Sequence, residues 1–299
     1  MDGTKFRGTG VAMVTPFFDD PNNGVDLQNI ERLLEHLIAG GIDFLVIQGT
    51  TGETATLLEY ERKTIVHTIH ELNRGRIPLV LGISGNHTQR VADDIKKAED
   101  WKMDGILSAN PAYNKPNQRG QYQHYAALAG ATSLPILLYN VPGRTATNMT
   151  AETTLSLARN FDNIVGIKEA SADFNQCMDI LTHRPEGFVV LSGEDALALP
   201  LVSLGMDGVI SVTANAFPHH FSGMIREALK GNFGSARKKH YRLLPFMRLA
   251  FMDGNPAGIK WILRQLGYGQ NALRLPLVEV NDQTKAAVAT AMQNDPQID

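Results

Sequence analysis

Eight short, continuously apolar runs recur along the chain, each separated from the next by a longer stretch with helical spacing, and this alternation limits the fold more than any other feature. The runs are Val11 to Val14, Phe44 to Ile47, Leu79 to Leu81, Gly105 to Leu107, Ile136 to Tyr139, Ile164 to Ile167, Phe188 to Leu191 and Gly208 to Ile210. A strand with one wet face alternates apolar and polar side chains, whereas a continuous run predicts a parallel strand covered on both faces by helices. Leu27, Ile30, Leu33, Leu34, Leu37 and Ile38 form the apolar face of one such helix, and the stretches 64–72, 91–101, 153–158 and 174–181 supply others. Eight strands separated by helices read as an α/β chain closed into a (β/α)8 TIM barrel. A doubly wound sheet is the alternative, but no glycine-rich dinucleotide loop follows the first run. Gly8-Thr9-Gly10 precedes that run and lacks the third glycine.

After Ile210 the strands cease. Met224 to Leu229, Ala236 to Phe251 and Ile259 to Leu266 read as further helices, with another near Gln283 to Met292. Asn255-Pro256 predicts the start of the third of these, with Asn as the cap and Pro in the first turn. The expected division is a catalytic barrel over 1–215 and a C-terminal helical extension over 216–299. With 299 residues, 43% of them hydrophobic, the chain can bury a large core without disulfides or a structural metal. A formal net charge of -3 and scattered basic residues exclude a phosphate-binding stripe, which points to a small-molecule substrate rather than nucleic acid. No apolar stretch has the length of a signal peptide or a membrane span, so a cytoplasmic location is expected. Cys177, the single cysteine, excludes an intrachain disulfide and reads as small core filler.

In a barrel of this kind, chemistry is carried at the C-terminal ends of the strands. Gly49-Thr50-Thr51-Gly52-Glu53 follows the second run, Asn110-Pro111-Ala112-Tyr113 the fourth, and Tyr139-Asn140-Val141-Pro142-Gly143-Arg144-Thr145 ends the fifth. Lys168 ends the sixth. A lysine inside a barrel that loses its proton becomes an amine able to attack a ketone and form an imine, which then acts as an electron sink without metal or cofactor. The competing reading is an ion pair at the barrel rim. Tyr139 and Thr50 fall at neighbouring strand ends, where their hydroxyls can shuttle the protons that imine formation requires. Each also admits a structural reading, as a tyrosine bonded to backbone or as a turn residue. Backbone amides of the Gly49 to Gly52 turn suit an anion, and Arg144 suits a carboxylate clamp or an exposed ion pair. His67, His70 and Glu71 lack the His-Glu-x-x-His spacing and are not read as a metal site. The pair His219-His220 reads as a helix start.

Together these motifs resemble the dihydrodipicolinate synthase family, within the pyruvate-dependent lyases that include N-acetylneuraminate lyase. The resemblance spans nearly the whole chain, from Gly8-Thr9-Gly10-Val11 through Gly49 to Glu53, Tyr139 to Thr145 and Ile167-Lys168-Glu169 to Gly208 to Val212 and Gly254-Asn255-Pro256-Ala257. Thr51 and Pro142-Gly143-Arg144-Thr145 separate it from the sialic-acid lyases. The resemblance implies that Lys168 forms the pyruvate imine and that Tyr139, Thr50 and Tyr113 relay protons, with Tyr113 supplied by a neighbouring subunit. It also implies that Thr51 binds the pyruvate carboxylate, that Arg144 holds the carboxylate of L-aspartate 4-semialdehyde, and that Gly193 and Ile210 line the site through backbone carbonyls. The implied product is (4S)-4-hydroxy-2,3,4,5-tetrahydrodipicolinate, on the diaminopimelate route to lysine, made by a homotetramer without a cofactor.

Where many family members carry two adjacent tyrosines, this chain has Ala112-Tyr113. In lysine-sensitive relatives a glutamate, a tyrosine and two histidines wall an effector cleft. The matching positions here are Arg90, Ala112, Glu59 and Arg62, so weak or absent inhibition by L-lysine is expected. Two rival functions remain at this point: an aldolase acting on a 2-keto-3-deoxy sugar acid with the same lysine, and a catalytically silent binding barrel.

Overall fold

The structure is a computed structural model, and it describes residues 2–298. Eight parallel strands pair in sequence order and close on themselves: β1 (Gly8–Ala12), β2 (Phe44–Ile47), β3 (Leu79–Gly82), β4 (Gly105–Ala109), β5 (Ile136–Asn140), β6 (Ile164–Glu169), β7 (Val189–Ser192) and β8 (Gly208–Ser211). Helices on the outside connect them, as expected for a (β/α)8 barrel. The first helix, Leu27–Ala39, shows why these stretches fold as they do. Asp26 caps it by accepting from the Asn29 amide, and Ile30, Leu33, Leu34 and Leu37 bury one face against the strands.

The alternation along each strand divides the core in two. Leu45, Ile47, Leu79, Leu81, Ile106, Ile136 and Leu138 face the helices, while Phe44, Val46, Val80, Leu107, Leu137 and Tyr139 fill the barrel interior. Phe6, on a short turn before β1, plugs the floor with its ring edge-on to Phe44 at 5.7 Å. It is fully buried, so truncating it to alanine would cost about 3–5 kcal/mol.

β1 corrects the sequence reading, which placed the first strand at Val11 to Val14. Gly8, Thr9 and Gly10 pair with Gly208, Val209 and Ile210 of β8. A Cβ on Gly10 would fall 2.2 Å from the Phe44 ring. The glycines that hide this strand from an apolar-run search are thus what lets Phe44 fill the barrel.

In β6, Ile136 pairs with Ile164 but Leu137 pairs with Gly166, so β6 carries one extra residue. Such a bulge reverses the in-out phase beyond it. Val165 lies in the barrel interior and Ile167 in the outer core, which leaves the next residue, Lys168, pointing inward.

Beyond β8, the helix Pro218–Leu229 packs on β1 and β8, followed by Phe233–Met252, Ala257–Gln265 and Asp282–Asn294. Phe217 and Phe246 meet at 4.7 Å between ring centres and join the long helix to the barrel. The expected cap at Asn255 is not formed. The last-but-one helix starts at Ala257 with Pro256 at its cap position, and the Asn255 side chain instead reaches Thr51. Cys177 is buried in the outer core. No helix among the described residues is long and apolar enough to cross a membrane.

Candidate active site

The C-terminal ends of the strands open into a cavity of about 570 Å³. Lys168, Tyr139, Thr50, Thr51, Arg144 and Gly193 all line it. β5 and β6 pair Tyr139 directly with Lys168, and the Lys168 Nζ lies 4.3 Å from the centre of the Tyr139 ring. Lys168 is 5% exposed, and among the described residues it has no ion pair, so the rim-pair alternative is not what the structure contains. Its neighbour Glu169 points the other way. Glu169 accepts hydrogen bonds from Asn140, Gln176 and the Ser171 amide between barrel and helices, so its charge is held outside the cavity.

Gly193, at the end of β7, leaves the space that the lysine occupies. A Cβ there would lie 2.6 Å from the Ala170 Cβ and 3.1 Å from the Lys168 Cε. Across the cavity, Thr50–Gly52 forms a single tight turn. Thr15 Oγ1 donates to the Gly52 carbonyl at 2.7 Å and Asn255 Nδ2 donates to Thr51 Oγ1 at 3.0 Å. Thr51 is buried while Thr50 faces the opening. Arg144 sits on the short helix Pro142–Thr145 at the rim, exposed and with no ion pair among the described residues.

Two of the sequence-derived candidates are not part of this cavity wall. Ile210 is fully buried in the barrel interior, and Val212 is the residue of that segment which reaches the cavity. Tyr113 is 92% exposed, on a loop where its φ is +66°. Asn86 holds that loop by donating to the Ala112 carbonyl at 2.7 Å and accepting from the Ala112 amide at 3.0 Å.

Sequence reasoning passed over Glu194, which also lines the cavity. Burial and the adjacent Asp195 push its carboxyl up, while Lys168 and Arg144 pull it down. The signal was present, because Glu194 stands in the polar stretch Ser192-Gly193-Glu194-Asp195 that follows the seventh apolar run. Asp195 beside it is buried, and its Oδ2 accepts from the Val212 amide and from the amide and hydroxyl of Thr213, tying the ends of β7 and β8 together. Arg62 is a further wall residue, with its Nε donating to Gln48 at 3.2 Å. Among the described residues no group of three or more His, Cys, Asp or Glu could hold a metal ion.

Comparison with known proteins gives a consistent result. The model of the dihydrodipicolinate synthetase family matches residues 5–295. A 4-hydroxy-tetrahydrodipicolinate synthase of Parabacteroides distasonis is 50% identical over 278 residues, 93% of each chain. Among solved structures, the dihydrodipicolinate synthase of Thermotoga maritima superposes with a TM-score of 0.94 at 37% identity, covering 97% of this chain and 98% of that one. The lysine-bound enzyme of Cyanidioschyzon merolae superposes with a TM-score of 0.93 at 36% identity, with the same coverage.

Proposed function

The chain belongs to the dihydrodipicolinate synthetase family, and on that premise we propose that it is a 4-hydroxy-tetrahydrodipicolinate synthase, condensing pyruvate with L-aspartate 4-semialdehyde. The observation that carries the chemistry is the Lys168 amine, which has no ion pair among the described residues and is buried beside Tyr139 in a cavity whose rim presents Arg144.

The Lys168 amine adds to the pyruvate ketone carbon, and the carbinolamine loses water to give the imine. Loss of a proton from the pyruvate methyl gives an enamine, whose terminal carbon attacks the aldehyde. The aldehyde oxygen takes up a proton and becomes the 4-hydroxyl. The amino group of the adduct then adds to the imine carbon and expels the lysine amine, closing the six-membered ring. One water is released overall and no oxidant, metal or cofactor is consumed.

Each residue's part follows from its place. Tyr139, whose ring centre lies 4.3 Å from the amine, would pass its protons, with Thr50 across the opening as the next hydroxyl. The Thr51 hydroxyl and the amides of its turn suit the pyruvate carboxylate, and Arg144 suits the carboxylate of the second substrate. The Gly193 carbonyl would complete the wall on one side, while Val212 rather than the fully buried Ile210 reaches the cavity from the end of β8. Tyr113 points into solvent within one chain, so its hydroxyl serves a relay only if a second copy docks on this face. A homotetramer of two such dimers, working in the cytoplasm, fits that requirement. Mixing inactive Tyr113→Phe and Lys168→Ala subunits should restore activity, because each mixed dimer holds one site with both native residues; no recovery after verified exchange would rule out the shared site. The substrate assignment is tested by supplying pyruvate with L-aspartate 4-semialdehyde or with sugar-derived aldehydes. The semialdehyde should be preferred by about 10²-fold or more in kcat/KM. Faster turnover of a neutral sugar aldehyde would make the chain a sugar-acid aldolase instead.

A further inference from the structure

The turn that carries Thr50 and Thr51 is gripped from below by the C-terminal helices, through charges buried far from the reacting atoms. Glu53 closes the turn with a φ of +53°, in the left-handed region. Its carboxylate is 3% exposed and accepts from the Lys260 ammonium, while its other oxygen accepts from the Arg274 amide at 3.2 Å. Lys260 is itself 2% exposed. It donates a second bond to the Ala272 carbonyl at 2.9 Å and lies 4.2 Å from the centre of the Phe17 ring. Arg274 continues the network with a two-pronged grip on Glu61, at 2.6 and 2.7 Å, and with bonds to the carbonyls of Asn23 and Thr56. Asn255, five residues before Lys260, holds the Thr51 hydroxyl.

Burying an isolated lysine and glutamate is unfavourable, and their mutual attraction barely repays the lost hydration, so such a pair adds little net stability compared with an apolar pair of the same volume. Burial does pull the Lys260 ammonium down to about 8 even though Glu53 favours the charged form. What the pair supplies is direction. Glu53 is fixed at one end of a three-residue turn and Thr51 near the other, each by a side chain from the same C-terminal segment. Resting on the functional reading above, we infer that Lys260 and Asn255 are positioning residues for the pyruvate-carboxylate site: together they set the Thr51 hydroxyl and its turn amides at the spacing a carboxylate needs. The C-terminal segment is thereby part of the substrate site: Phe251 and Asn255 stand in the cavity wall, and Lys260 acts from behind the turn.

The test separates positioning from scaffolding. Asn255→Ala removes only the donor to Thr51. It should raise KM for pyruvate about three- to tenfold with kcat within about twofold, the pattern of lost substrate binding. The double variant Glu53→Gln/Lys260→Met removes both charges at nearly constant volume. It should keep the wild-type melting temperature within a few degrees and raise the pyruvate concentration needed for half-maximal borohydride trapping about tenfold or more. Arg242→Met, which breaks the pair with Asp295 at the chain's far end, serves as the stability control and should leave KM unchanged. Folded variants that trap pyruvate at wild-type concentrations would reduce the network to a scaffold and overturn the inference. If the double variant fails to fold, the KM of Asn255→Ala decides alone. Failure of the wild-type chain itself to trap pyruvate would overturn the functional reading and this inference with it, a result distinct from failure in the variants only.

Discussion

Gly193 offers the sharpest steric probe of the site. Its φ is not among the positive values that favour glycine, so alanine is acceptable to the backbone and only space is at issue. The added Cβ would sit 2.6 Å from the Ala170 Cβ and 3.1 Å from the Lys168 Cε, about 0.8 Å and 0.3 Å short of ordinary contact. Ala170 follows β6 directly, so both contacts push on the segment that aims Lys168. Overpacking of this size costs about 1–3 kcal/mol, small enough for the barrel to fold with a melting temperature lowered by a few degrees. The catalytic cost is larger, because a displacement approaching 1 Å at a reacting group costs about 10²-fold. Gly193→Ala should therefore lower kcat/KM by about 30- to 100-fold and slow imine trapping with pyruvate in parallel. Circular dichroism melting and a coupled turnover assay on the same sample provide both readings. A folded variant with turnover within about twofold of wild type would show that the lysine does not depend on this space.

Tyr139→Phe keeps the ring beside Lys168 and removes only the hydroxyl, so steady-state turnover should fall by about 10²-fold or more with the melting curve unchanged; an unaffected rate would remove Tyr139 from the relay. L-lysine should inhibit weakly or not at all, since Arg90 lines the cleft beside Glu59 and the Glu59 carboxylate is already paired with Lys97 at 3.3 Å; strong inhibition at submillimolar lysine in initial-rate assays would contradict this. His124 is buried between helices, and burial pulls its imidazole down from 6.5 to about 4. The unfolded chain takes up that proton near pH 6.5 and the folded chain only near 4, so the stability it contributes is present above pH 6.5 and is lost as pH falls toward 4, by up to about 1.4 kcal/mol per unit. Melting from pH 7 to 4 should show this slope, reduced in His124→Asn; an unchanged slope in the variant would assign it to other groups.

Much of the architecture is legible because a parallel barrel leaves a direct imprint: strands dry on both faces are apolar without a break, and β2 to β8 start within a residue of the expected runs. β1 escaped because close packing against Phe44 requires glycine rather than a large apolar side chain. Lys168 could be placed at a strand end from sequence, but its inward aim depends on the bulge in β6, and Ile164-Val165-Gly166-Ile167 gives no sign of an extra residue. Tyr113 stands out in sequence only by resemblance, since a residue that would serve a site in a second chain has no local pattern. The Lys260 network was invisible for another reason. Lys260 lies within an amphipathic helical stretch where a lysine ordinarily faces water, and its partner Glu53 is 207 residues away. Asn255 carried a local helix-start signal, and a tertiary bond to Thr51 won over it.

If Lys168 carries the substrate as an imine, reductive trapping detects it directly. The purified protein is incubated with pyruvate and borohydride, digested, and its peptides are weighed by mass spectrometry. A single modification, a reduced pyruvyl group on the peptide containing Lys168, is expected, accompanied by loss of activity and absent from Lys168→Arg, whose guanidinium stays protonated and cannot form the imine. Trapping at any other lysine, or equal trapping in Lys168→Arg, would take this role away from Lys168.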